Sequence, residues 1–135
     1  MAGDGPLKRV PTGATQHRTA GPYSPVLEVK AEHLVVLSGQ VAVDLNGQVV
    51  GTTIEEQAEA ALANCRNQLA SAGCTFADVF KVNVYLSDLS EWASFNAIYE
   101  KAMPPPRPVR TAVQAILLSS YRVEIEMWAV KPGDA

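Results

Sequence analysis

The chain has 135 residues, 47% of them hydrophobic and 19% charged, and a net charge of −3. This length holds one domain with a real core, and the composition speaks against both a disordered chain and a membrane span. Lysines and arginines are scattered without a basic run, so no nucleic-acid surface is expected, and the expected partners are small molecules or further copies of the chain. Cys65 and Cys74 make neither a disulfide framework nor a metal-ligand spacing, and His17 and His33 have no clustered ligands beside them. No metal site and a reducing compartment are therefore expected. The first twenty residues lack an apolar h-region, which points to the cytoplasm rather than to secretion. Lys8, Arg9 and Arg18 leave a mitochondrial address open, but no amphipathic helix accompanies them.

Residues 1–6 are small and polar and read as a disordered tail, with a single domain over residues 7–135. Residues 7–10 suit a short strand and 11–19 a connecting loop. Gly21, Pro22, Tyr23, Ser24 and Pro25 then form a rigid turn, because proline fixes φ; Tyr23 is either a surface plug or a ring presented to a pocket. Residues 26–30 and 34–40 read as two strands around the polar turn Ala31, Glu32, His33, an expected hairpin. Gly39 either marks a bulge or lets a backbone or ligand come close. Asn46 and Gly47 signal a turn before a short strand at 48–50.

Thr53 and Glu56 have the spacing of a capping box. Ile54, Ala58, Ala61, Leu62, Cys65, Leu69 and Ala72 then recur at helical spacing, and Gly73 supplies the stop. Cys65 reads as a small core residue. Phe80, Val82, Val84 and Leu86 alternate with Lys81, Asn83, Tyr85 and Ser87 in the clearest strand of the chain. Asp88 or Ser90 can cap a second helix, whose apolar stripe of Trp92, Phe95, Ile98, Tyr99 and Ala102 ends before Pro104. Asn96 lies beside that stripe and, on physics alone, is a helix-surface amide.

Residues 108–130 hold two strand-like segments joined by a turn. In the second, Val123, Ile125, Met127 and Ala129 alternate with Arg122, Glu124, Glu126 and Trp128. In the first, Arg110, Ala112 and Gln114 fall on one side, and Thr111, Val113 and Ala115 on the other. If both segments lie in one sheet, Arg110 and Glu124 can share a face. Such a pair suits a small carboxylate-bearing substrate: an Arg fork holds the carboxylate and a Glu positions or deprotonates a water. It reads equally well as a cross-strand salt bridge. Trp128, on the polar face, is poorly accommodated by full exposure and points to a partner surface. Together the elements predict an α+β domain, a mixed sheet with both helices packed on one face.

GPYSPV at 21–26, LSGQVAVD at 37–44, the run at 72–100, PVRTAVQ at 108–114 and VEIEMWAV at 123–130 follow one another in a familiar order and spacing. Over residues 7–130 the chain resembles the RidA (YjgF) family of enamine and imine deaminases. The resemblance implies a chorismate-mutase-like fold and a homotrimer with its sites at the subunit interfaces. It also implies hydrolysis of 2-imino or 2-enamino acids, such as 2-aminoacrylate and 2-iminopropionate, to 2-keto acids and ammonia without a cofactor. Carried over by position, Arg110 would grip the substrate carboxylate and Glu124 would hold or activate the water. Tyr23, Ser38, Gly39, Asn96 and Thr111 would line the pocket, with Tyr23 or Asn96 reaching it from the next chain. Pro25 stands where the family often has Gln, Ala112 where some members carry Cys, and residues 117–121 replace the usual Leu-Pro turn. The same scaffold also admits an enzyme for a larger, aminomuconate-like acid, or a non-catalytic small-molecule-binding trimer. A nuclease is disfavoured, because the sequence offers no acidic metal cluster, no His pair and no basic patch.

Overall fold

The computed structural model describes residues 7–18 and 20–133, so the tail reading for residues 1–6 lies outside the described residues. In chain order the elements are β1 (Lys8–Arg9), β2 (Glu28–Val29), β3 (Leu34–Gln40), α1 (Ile54–Ser71), β4 (Val79–Leu86), α2 (Trp92–Ala102), β5 (Val109–Gln114) and β6 (Val123–Val130). The main sheet has the order β3–β6–β4–β5. β6 runs antiparallel to both β3 and β4, whereas β5 runs parallel to β4, so the sheet is mixed. On β6 the alternation holds: Val123, Ile125, Met127 and Ala129 are fully buried in one core with the apolar faces of α1 and α2. The α+β architecture with two helices on one sheet face is as expected.

The local signals at α1 act as read. The Thr53 hydroxyl accepts from the Glu56 N–H at 3.1 Å, and the Glu56 carboxylate accepts from the Thr53 N–H at 3.2 Å, which satisfies two of the helix's free amides. Gly73, at φ +80°, takes the left-handed conformation just beyond the helix. Asp88 caps a single 3-10 turn, accepting from Ser90 N–H at 2.9 Å, and that turn leads into α2.

Three expectations need correction. The hairpin of residues 26–40 does not form, because β2 pairs with β1 in a separate two-stranded ribbon and β3 pairs with β6. The turn Ala31, Glu32, His33 has no Gly or Asn to take a positive φ, and β6 offers β3 a long partner that lets Leu37 reach the core. The two segments of residues 108–130 are not neighbours either: β4 lies between β5 and β6. On β4 itself a register shift between Val79 and Lys81 puts Val79 into the core and leaves Phe80 half-buried, where unbroken alternation would bury Phe80.

The β1–β2 ribbon is tied to the main sheet by Lys8, only 7% exposed, whose ammonium donates to the Val79 carbonyl. Burial lowers its pKa from 10.5 to about 8, against the opposing charge of Asp78. Between those two values the unfolded chain holds more protons at this group than the folded one, so stability rises with pH across that window. Lys8→Met is expected to flatten this rise between about pH 8 and 10.5, read as denaturant midpoints at several pH values. An unchanged slope would mean that the ammonium is solvated in the folded protein.

Candidate active site

Strand register decides where the expected site residues point. Arg110 lies level with Val82, which lies level with Met127, and both of those are fully buried on the helix side. Glu124 lies level with Tyr85, which lies level with Val113, on the bare side. Side chains alternate across a strand, so Arg110 and Glu124 sit on opposite faces of the sheet. The shared-face expectation is therefore overturned, and with it the reading of the pair as a cross-strand salt bridge. It assumed an even offset between adjacent strands; β4 intervenes, and three residues along it separate the two levels.

The Arg110 half is built by β5, α2 and the turn at residues 21–25. Asn96 Oδ1 accepts from Arg110 Nη1 at 2.7 Å. The guanidinium carbon lies 4.8 Å from the ring centres of both Trp92 and Tyr99, and 5.7 Å from that of Tyr23. The turn is held against the residues preceding Arg110: the Ser24 hydroxyl donates to the Arg107 carbonyl, and the Ser24 N–H donates to the Pro108 carbonyl at 3.1 Å. Gln16 Nε2 also donates to the Tyr23 carbonyl at 3.0 Å. The Tyr23 ring thus faces the Arg110 guanidinium. Arg110 Nη2 and Tyr99 Oη are buried without a hydrogen-bond partner. Burial lowers the Arg110 pKa, since the charged form loses water, and raises that of Tyr99, whose phenol stays neutral.

The Glu124 half lies on the bare face. The pairs Leu37–Met127 and Gln40–Ile125 leave Ser38 and Gly39 together opposite the single residue Glu126, a bulge in β3. A Cβ on Gly39 would lie 1.9 Å from Glu124 Oε2, so the bulge reading holds, and the group that comes close is a side-chain carboxylate of the same chain. Ser38 is exposed beside it, and Thr111 is exposed on the same face, level with Asn83 and Glu126. The two glutamates differ. Glu126 accepts from Tyr85 Oη at 2.6 Å and from Asn83 Nδ2 at 3.4 Å, whereas Glu124 makes no hydrogen bond to the described residues. That engagement, through the proton Tyr85 donates, holds the Tyr85 phenol above its usual range.

Tyr23 and Asn96 meet the Arg110 guanidinium within one chain, where the expectation had either of them come from a neighbour. Sequence reasoning missed Trp92 and Tyr99, which were assigned to an apolar stripe. The signal was present: Trp92, Asn96 and Tyr99 are spaced by four and then three residues, one face of a helix. A cleft of about 550 Å³ opens at the ends of β4 and β5, lined in part by Ser87, Gln114, Tyr121 and Arg122, the last just before β6 and two residues from Glu124. Cys65 is a core residue whose thiol burial pushes up to about 12. Among the described residues there is no group of three or more candidate metal ligands, and no helix is long and apolar enough to cross a membrane.

The family model described as Endoribonuclease L-PSP, that of the YjgF/RidA family, matches residues 14–131. The chain belongs to this family. It is 35% identical over 127 residues to the human protein named 2-iminobutanoate/2-iminopropanoate deaminase, covering 93% of this chain and 91% of that relative. It is 36% identical over 129 residues to the Schizosaccharomyces pombe protein mmf2, mitochondrial, covering 93% and 100%. Among solved structures, yeast Mmf1 matches with a TM-score of 0.71 at 32% identity, over 84% of this chain and 90% of that one. The Yersinia pestis Rid-family protein YyfB matches with a TM-score of 0.71 at 30% identity, over 92% and 98%. The family thus shares the two-helix, mixed-sheet fold.

A buried hydroxyl without a partner costs roughly 1 to 3 kcal/mol. Tyr99→Phe keeps the ring and removes the hydroxyl, and is expected to raise unfolding stability by about 1 kcal/mol in denaturant titration. A loss of stability would show that the hydroxyl finds a partner in the assembled protein.

Proposed function

We propose that the protein hydrolyses reactive 2-imino and 2-enamino acids to 2-oxo acids and ammonia, as a homotrimer whose sites form between chains. The observation that carries this reading is Arg110, a largely dehydrated guanidinium among neutral neighbours, with a donor left unused. A cation so placed lacks only an anion, and a planar fork suits a carboxylate. The names of the curated relatives supply the class of reaction.

In the reaction the iminium carbon is already electrophilic, so catalysis amounts to orientation and a placed water. Arg110 holds the carboxylate, with Asn96 and Tyr23 fixing the guanidinium. An enamino acid enters as its iminium tautomer, protonated at the β-carbon. Glu124 takes a proton from the water as its oxygen bonds to the iminium carbon and passes it to the nitrogen of the carbinolamine, whose hydroxyl gives up its proton as the C–N bond breaks and ammonia leaves the 2-oxo acid. Gly39 gives the Glu124 carboxylate its room, and Ser38 and Thr111 flank the water side. Because the two halves lie on opposite faces, Arg110 of one chain works with Glu124 of the next. The bare face, with Trp128 and the exposed Val36 and Val113, is the surface that neighbouring chains cover.

Generating 2-aminoacrylate with a pyridoxal-phosphate-dependent dehydratase and following its decay tests the reading directly. The protein should speed the decay, with or without EDTA; decay at the buffer rate, for small and bulky imino acids alike, refutes the activity. Arg110→Ala should lower kcat/KM by roughly 2 to 4 kcal/mol, on the order of 30- to 1000-fold, and Arg110→Lys should recover little of it. Glu124→Gln should lower kcat, and Glu126→Gln should be milder. Gly39→Ala should resemble Glu124→Gln, because the added methyl displaces that carboxylate.

The shared-site geometry has its own test. A refolded equimolar mixture of Arg110→Ala and Glu124→Gln chains should regain about a quarter of wild-type activity, the fraction of interfaces that pair an intact arginine with an intact glutamate in a closed ring. No recovery would mean that both residues act from one chain.

A further inference from the structure

Among the described residues, the side chains that meet the Arg110 guanidinium are neutral: the Asn96 amide oxygen at 2.7 Å, and the rings of Trp92, Tyr99 and Tyr23 at 4.8, 4.8 and 5.7 Å. Arg66 likewise lies over a ring, that of Phe76 at 5.0 Å, but two other arginines are ion-paired. Arg9 pairs with Glu28 at 2.7 Å and Arg122 with Glu91 at 3.0 Å. A carboxylate beside Arg110 would cancel its charge and occupy its N–H groups. A ring face stabilises the cation through its quadrupole while leaving the in-plane donors open. The placement is also stiff: Gln114 Oε1 of β5 accepts from Leu89 N–H at 2.7 Å, and the Arg122–Glu91 pair ties the same turn to the foot of β6. The start of α2, and Trp92 with it, is thereby fastened to the strand that carries Arg110.

We propose that Trp92 and Tyr99 are positioning residues for the carboxylate seat: their rings lie against the Arg110 guanidinium and stand in for its counter-ion, so that the cation stays charged, with Nη2 unpaired, until a substrate carboxylate arrives. This rests on the reading of Arg110 as a carboxylate-binding group. It assigns α2 a role beyond packing. The i, i+4, i+7 spacing that puts Trp92, Asn96 and Tyr99 on one helix face supplies two clamping rings and one hydrogen-bond acceptor from a single element.

Trp92 is only half-buried, which makes it the residue to vary. Affinity for 2-oxobutanoate, a stable carboxylate of the product class, is measured by calorimetry alongside steady-state KM and kcat for the imine. Trp92→Leu should weaken 2-oxobutanoate binding and raise KM roughly tenfold, with kcat less affected, because the lost interaction serves ground state and transition state alike. Trp92→Phe, which keeps a ring, should stay within about threefold of wild type. If Trp92→Leu does not fold, Trp92→Met, apolar and adaptable in shape, carries the same comparison.

An active wild type, with Trp92→Leu (or Trp92→Met) lowering only the melting temperature and leaving affinity and KM unchanged, overturns the inference and leaves the deaminase reading standing. A wild type that binds 2-oxobutanoate with this Trp92 dependence but hydrolyses no imine keeps the inference and removes the deaminase reading. A wild type that does neither overturns both.

Discussion

β4 lies between β5 and β6, and its two registers decide which side chains share a face of the sheet. Val82, Val84 and Leu86 are fully buried beneath the helices, so a slip of one residue would turn that apolar row out to the bare side. The same parity carries Arg110 under α2 and Glu124 onto the bare face. Core packing far from any polar chemistry therefore sets which polar groups can meet, and it keeps this arginine and this glutamate of one chain apart.

The two halves of the site are alike in one respect. Each holds a charged group whose hydrogen-bonding capacity is left partly unused, while a chemically similar group elsewhere in the chain has polar or charged partners. Arg122 is held by Glu91 and by the Thr52 carbonyl at 2.7 Å, while among the described residues the side chains that meet Arg110 are an amide and three rings. Glu126 takes the Tyr85 hydroxyl, while Glu124 projects over Gly39 without a donor from the described residues. An unmatched buried donor opposes folding, and sites where local satisfaction fails in an otherwise consistent fold are where function concentrates.

Both departures from regular strand geometry act on this arrangement. The bulge at Ser38 and Gly39 brings the β3 backbone against the Glu124 carboxylate, a contact that no side chain at position 39 would permit. The shift between Val79 and Lys81 moves Val79 into the core, while Lys81 keeps its place on the bare face, over the Trp128 ring at 5.6 Å. Trp128 is thus partly covered within its own chain, and the ring marks a surface that is neither core nor fully solvated.

Much of the fold is legible in the residues themselves because its signals are local. Thr53 and Glu56 announce α1, Gly73 ends it, and the alternation of residues 123–130 marks both the extent of β6 and its buried side, since caps and periodicity act within one turn or one strand. The family resemblance likewise implies roles for Arg110, Glu124, Tyr23, Asn96 and Gly39. What the residues in order do not carry is which strands become neighbours: β2 pairs with β1 and leaves β3, β4 inserts between β5 and β6, and an extra residue enters β3 opposite Glu126. Those outcomes depend on how non-local apolar faces pack, and they alone place Arg110 with Trp92 and Tyr99 on one side of the sheet and Glu124 with Gly39 on the other.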